Sequence, residues 1–324
     1  MDALYSDIYQ LIFAFLSPTT IIQLRLISHS FNNLICNGDL NKIIMQSHHY
    51  GKLNHVKNLF FNIILPRTDT SESYDNVISV TTGFYYPSAT YDHIKKFTNL
   101  TTLRLKHKIN ISEEALLQLK NLTHLSLNNQ KIITAQCLLQ LKKLERLTIK
   151  NQTNISDGTI SQLNFLTHLH LNSTSRITNS SIQNLTNLKH INLSNNLLID
   201  GTATQYLTNL TSLKCGRKVT DDHLTLLTNL NTLTIYTSDK IYGNFLSILT
   251  NITILSIRDH NNITDTNIQY CTKIINLKIP FNQCITYNGL SILTNLTCLY
   301  CSDSLALTQI RMMPQLKRLN GVAL

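Results

Sequence analysis

Leu166-Thr167-His168-Leu169-His170-Leu171 spells a hexad, L-x-x-L-x-L, that returns along the chain. It begins at Leu100, Leu122, Leu144, Leu166, Leu188, Leu210, Leu230, Ile252, Ile274 and Leu296, and a clipped copy starts at Leu316. Successive starts lie 22 residues apart, except for two steps of 20 from Leu210 and from Leu296. A fixed period of this length belongs to a solenoid, whose units each bury one face against their neighbours.

The rest of the unit repeats as well. A β-branched aliphatic follows 11 residues after each opening aliphatic, at Ile111, Ile133, Ile155, Ile177, Ile199, Ile241, Ile263 and Ile285. Ser or Thr usually comes next, often before an acid (Ser112-Glu113, Ser156-Asp157, Thr264-Asp265). A hydroxyl ahead of an acid and an apolar pair signals a helix start, because the oxygen accepts from free N–H groups and the acid suits the dipole. The pair itself is spaced by three, as in Leu116 and Leu119 or Ile160 and Leu163, and so shares one face of a short helix or 3₁₀ turn. In the two short units the landmarks Val219, Leu224 and Leu227, and Leu305, Ile310 and Met313, keep their mutual spacing. The missing residues therefore come from the strand-to-helix loop, which tolerates deletion. The unit is strand, loop, short helix, return.

Over about two-thirds of the chain this resembles the leucine-rich repeat family. The resemblance implies an α/β solenoid over residues 100–324, with a parallel sheet on the concave side and short helices on the convex side. The phrases Ile263-Thr264-Asp265 and Val219-Thr220-Asp221 are similar to repeats of F-box leucine-rich proteins. The repeat length and the Thr-Asn-Leu-Thr phrase look like bacterial internalins.

Residues 1–44 break the pattern. Ser6 or Asp7 can cap a helix carrying Ile8, Leu11, Ile12, Phe15 and Leu16. Ser17-Pro18 interrupts it, a second helix carries Ile21, Ile22, Leu24 and Leu26, and a third runs through Phe31, Leu34 and Ile35. Three short helices in so few residues bury too little surface to stand alone, so the module is expected to dock on something. It resembles the F-box: Leu4, Asp7, Ile8, Ile12, Phe13, Phe15, Leu16 and Pro18 answer the first half of that pattern. Leu24, Arg25, Ile27, Ser28, Phe31, Leu34 and Ile35 answer the second, while Tyr5 stands where the family usually has Pro. The resemblance implies an adaptor-binding face on Leu4, Ile8, Ile12, Phe13, Leu16, Pro18, Leu24 and Phe31. Its partners would be a Skp-type adaptor and, through it, a cullin scaffold. Residues 45–99 read as a linker with two degenerate repeat starts, Val56 and Val77.

The net charge is +10, although only 14 % of residues are charged. No apolar run near the start is long enough to span a membrane, and no signal peptide is read, so a cytoplasmic or nuclear location is expected. Cys298-x-x-Cys301 places its sulfurs on opposite faces of one strand, and His48, His49 and His55 lack a further ligand at suitable spacing, so no metal is expected. The chain has no P-loop, no H-E-x-x-H and no nucleophile elbow; neither cofactor nor enzymatic activity is expected.

Residues two, four and six after each opening aliphatic point away from the core and form three ladders. None of the three holds Asp or Glu. The cationic and imidazole positions are Arg104, Lys106, His124, Arg146, Lys150, His168, His170, His190 and Lys214. This face is expected to bind an acidic or phosphorylated target protein, more weakly as salt rises and, through the histidines, more strongly as pH falls from about 7.5 toward about 6. With Tyr236 and Tyr300 as the only ladder aromatics, base stacking and hence nucleic acid binding are poorly served. The expected function is substrate recognition within an SCF-type ubiquitin ligase. The alternative is a non-catalytic leucine-rich binding scaffold whose N-terminal helices only cap the solenoid.

Overall fold

The hexads become strands because their alternation offers one aliphatic face to a core and one polar face to water. The computed structural model describes residues 44–45, 62–63, 79–81, 94–95, 97–105, 111–130, 132–151, 154–172, 177–236, 240–258, 262–302 and 307–324. The three-helix module and its eight adaptor-binding residues lie outside the described residues, as do His48, His49 and His55. The chain divides into two units, Met1–Leu147 and Thr148–Leu324.

In the first unit β1 (Ile44–Met45), β2 (Asn62–Ile63), β3 (Ser79–Thr81), β4 (Thr102–Leu105) and β5 (His124–Asn128) pair in chain order, all parallel. Val80 lies opposite Leu103, so the degenerate repeat read at Val77 is in register. The one read at Val56 is not: Asn62 pairs with Thr81, two residues later than a start at Val56 requires. The first described strand of this sheet is thus Ile44–Met45. Strand β6 (Arg146–Lys150) carries the last residues of the first unit and the first of the second.

The second unit continues with β7 (His168–Asn172), β8 (His190–Asn195), β9 (Ser212–Cys215), β10 (Thr232–Ile235), β11 (Ile254–Ile257), β12 (Asn276–Ile279), β13 (Cys298–Cys301) and β14 (Arg318–Leu319), each parallel to the next. A final strand, β15 (Val322–Ala323), turns back antiparallel on β14. Asn320 and Gly321, at φ 50° and 87°, make that turn, and the Asn320 carboxamide accepts from the Cys301 amide at 2.8 Å. Asn-Gly is the dipeptide a two-residue hairpin demands, since both central residues need positive φ. The parallel ladder therefore ends on a short reversed strand.

Every hexad aliphatic from Leu100 to Leu319 is buried, and so are the helix pairs. The unit starting at Leu188 departs from the pattern: Thr204 fills the first place of the pair and is fully buried, its hydroxyl donating to the Gly201 carbonyl at 2.8 Å. Cys301 is buried and Cys298 is only partly so, as the strand alternation requires. Burial pushes the thiols of Cys215 and Cys271 up to about 12, which leaves them inert.

The helix starts are tied to one another along the sequence. Within the first unit the Glu113 carboxylate accepts from the Thr134 amide at 2.5 Å. Within the second, Asp157 accepts from the Thr178 amide at 2.7 Å and from the Ser180 hydroxyl at 2.7 Å, and Asp265 accepts from the Thr286 amide at 2.7 Å. The buried Asp221 accepts from three successive amides, those of Tyr242, Gly243 and Asn244, at 3.1, 3.3 and 2.9 Å. Gly243 sits at φ 91° to aim them, a conformation open to Gly at no steric cost. The helix-start acids thus act as acceptors for the next unit's helix as well as charges at their own.

Candidate protein-binding face

Parallel pairing in register converts equal hexad positions into lateral neighbours at positions two and four, while at position six Asn172 pairs with Asn195 rather than Ser194. In the second unit His168, His190, Ser212, Thr232, Ile254, Asn276 and Cys298 form one unbroken row. His170, Asn192, Lys214, Thr234, Ser256, Lys278 and Tyr300 form the other. In the first unit Thr102 pairs with His124 and Arg104 with Ser126. The ladders at positions two and four are therefore physical rows in the second unit. Lys106 lies outside the described residues.

In the first unit Arg104 and Arg146 are exposed and His124 is partly so. The His124 ring nitrogen Nδ1 lies 2.6 Å from the Thr123 hydroxyl. Burial, then Arg146, opposed by Glu145 and joined by Arg104, holds its imidazole below the usual histidine value. Glu145 occupies hexad position one, next to the outward ladders, and spacing alone gave it no part in this face.

In the second unit Lys150 and Lys214 are exposed, and His168, His170 and His190 are partly buried. The rings of His168 and His190 stack with centroids 4.1 Å apart and planes inclined by 21°. Burial, then Lys214, then Lys150, holds His170 below the usual value. The two lysines thus act on one imidazole between them. A lowered imidazole pKa carries less positive charge at a given pH, so at His124 and His170 the shift works against the expected strengthening of anion binding as pH falls.

Further along the same unit the row changes character. Arg258 lies over the Tyr236 ring, 5.3 Å from its centroid, and Ile254 and Tyr300 are exposed. The face carries its imidazoles near β7–β9, and further along it mixes the exposed cations Arg258 and Lys278 with Tyr236, Ile254 and Tyr300. Among the described residues no group of three or more His, Cys, Asp or Glu is placed to hold a metal ion. Nor is any described helix long and apolar enough to cross a membrane.

A family model for the F-box domain matches residues 1–43. No curated protein sequence matches the chain. Among solved structures, an internalin (inlF) from Listeria monocytogenes is 22 % identical over 76 % of this chain and 78 % of that one, with a TM-score of 0.51. The TLR13–ssRNA13 complex aligns at 17 % identity over 88 % of this chain and 49 % of that one, with a TM-score of 0.55. The Toll–Spatzle complex of Drosophila aligns at 16 % identity over 81 % of this chain and 40 % of that one, with a TM-score of 0.51. At such identities these likenesses speak to fold alone: strand, loop and short helix repeated, without a closed barrel. Residues 1–43 thus match the F-box domain model, and the chain beyond them has the fold of leucine-rich-repeat proteins.

Proposed function

We propose that the chain is the substrate-recognition subunit of an SCF-type E3 ubiquitin ligase, with residues 1–43 docking on a Skp-type adaptor and thereby on a cullin scaffold. The observation that carries this reading is the F-box match at residues 1–43 of a chain whose repeats, from Leu100 on, put no acid in their outward ladders. In this reading the chain performs no chemistry. It raises the local concentration of a target near the conjugating enzyme by holding both at once.

The target is an acidic or phosphorylated segment held on the sheet face. In the second unit Lys150, His168, His170, His190 and Lys214 supply the cationic and polar contacts, and Arg104, His124 and Arg146 supply them in the first. Exposed charges of this kind mainly set encounter rate and salt dependence.

Recovery of the adaptor by the full chain and by a chain starting at residue 45 tests the first half. The adaptor is expected only with the full chain; equal recovery overturns the reading and leaves a binding scaffold with capping helices. For the second half, Lys150→Glu with Lys214→Glu is expected to weaken target capture at least tenfold while adaptor recovery stays unchanged. Capture at wild-type strength would move the target site off this face.

A further inference from the structure

One position of the repeat, 18 residues after the opening aliphatic in the long units and 16 in the two short ones, faces water directly after the short helix. In four units it is an amide: Gln118, Gln140, Gln162 and Asn184, all exposed. In the next six it is Tyr206, Leu226, Ile248, Tyr270, Ile292 and Met312. These six are 55, 53, 47, 49, 47 and 80 % exposed. The buried pair flanks the position on both sides, so the core is already satisfied. The amides in the earlier units show that the local geometry does not require an apolar residue here.

The six belong to the second unit and form one stripe. The helices that precede the first five, Gly201–Thr204, Asp221–Thr225, the 3₁₀ turn Asn244–Ser247, Asp265–Ile268 and Tyr287–Ser291, contact each other in turn, and Met312 follows on the next helix, Leu307–Arg311. Five strand spacings of about 4.8 Å give the stripe a length of at least about 24 Å. Large apolar side chains about half exposed offer on the order of 100 Å² each, so the stripe presents roughly 600 Å². That is the size at which an exposed apolar patch marks an interaction site.

We propose that this stripe is the contact between two copies of the chain. Two copies meeting through it would bury about 1,200 Å² in total, which reaches the range of a specific interface. A row of equally spaced residues is self-complementary under a two-fold axis: run antiparallel, Tyr206 meets Met312 of the partner copy, and Ile248 meets Tyr270. Charge favours the same occupant. At a net charge of +10 two copies repel over most of their surface. The turns from one residue before each stripe position to three after it, six stretches in all, hold only Lys273 and Arg311 as charged residues, and the rest is neutral. The same turns around Gln118 and Gln140 hold Lys120, Lys142 and Lys143. The turns around Gln162 and Asn184 hold no charge either, but they carry amides, so the stripe is where low charge and exposed apolar residues coincide.

Sedimentation equilibrium of the full chain between about 1 and 100 μM tests this. A monomer–dimer equilibrium is expected in that range, holding or tightening as salt rises because the contact is apolar. Ile248→Gln, Tyr270→Gln and Ile292→Gln together place the residue that three other units already carry, so the fold should persist, with an unchanged circular dichroism spectrum and melt. That variant should raise the dimer Kd at least tenfold, and Tyr206→Gln with Met312→Gln should do so to a lesser extent. A wild-type chain that is monomeric throughout overturns the proposal. So does a dimer as tight in the triple variant as in the wild type.

Discussion

His170 illustrates how a single residue carries both the packing and the electrostatics of the sheet. It is half-buried beside His168 and His190 on the row that leads to Lys214, and burial followed by Lys214 and Lys150 lowers its pKa. A histidine with a depressed folded pKa takes up its proton more readily in the unfolded chain. Its contribution to stability is therefore whole above the unfolded value, about 6.5, and is lost as pH falls through the folded one. His170→Gln should flatten the acid side of the stability profile measured by denaturation between pH 7.5 and 4.5. An imidazole titration by NMR should place His170 below the value of a free histidine; a midpoint at or above that value would refute this account. The cysteines separate in the same way. A thiol reagent at pH 8 should modify the partly exposed Cys284 and Cys298 in the native protein, whereas buried Cys215 and Cys271, with thiols pushed up to about 12, react only on unfolding.

Single elements here are too short to be stable alone, so each helix start depends on the unit before it. Asp221 is the clearest case. Removing its carboxylate leaves three amides of the following turn without their acceptor. Asp221→Ala should cost about 2–3 kcal/mol in urea denaturation, the range for stranding buried donors, against less than about 1 kcal/mol for the exposed Asp222→Ala. Equal effects of the two would mean that the acceptor role is unimportant. Asp157 adds a pH signature. Burial raises its pKa, but hydrogen bonds from Thr178, Ser180 and Ser181 outweigh that and hold it below the ordinary carboxylate value. Its contribution is present above that value and is lost as pH falls through the folded pKa. Asp157→Asn should accordingly destabilise at pH 7 and converge with wild type in strong acid.

For the molecule as a whole, two surfaces should respond to salt in opposite directions. Target capture on the cationic face should weaken as ionic strength rises from about 0.05 to 0.5 M, since exposed charges are screened over a few ångström at the upper end. Self-association through the apolar stripe should not. Measuring both on one preparation separates them: if target capture were insensitive to salt, the cationic rows would not be the recognition surface.

How much of this was written in the chain follows from what a repeat can encode. The hexad at Leu166–Leu171 and its copies determine strand, face and neighbour, because an aliphatic face with period two must be buried and a one-residue slip would expose it. The outward rows and the inert cysteines follow from the same parity. The F-box is carried by residue pattern alone, at Leu4, Ile8, Ile12, Phe13 and their fellows. Tertiary structure decided what depends on approach distance. Asp221 reaches amides more than 20 residues away, Thr204 takes an aliphatic's place by satisfying its hydroxyl on Gly201, and His124 and His170 lose proton affinity to burial and to cations on other strands. Only the strand pairing shows that the chain turns back on β14 through Asn320-Gly321. Period fixes register along one dimension; desolvation and hydrogen bonding between units are set in three.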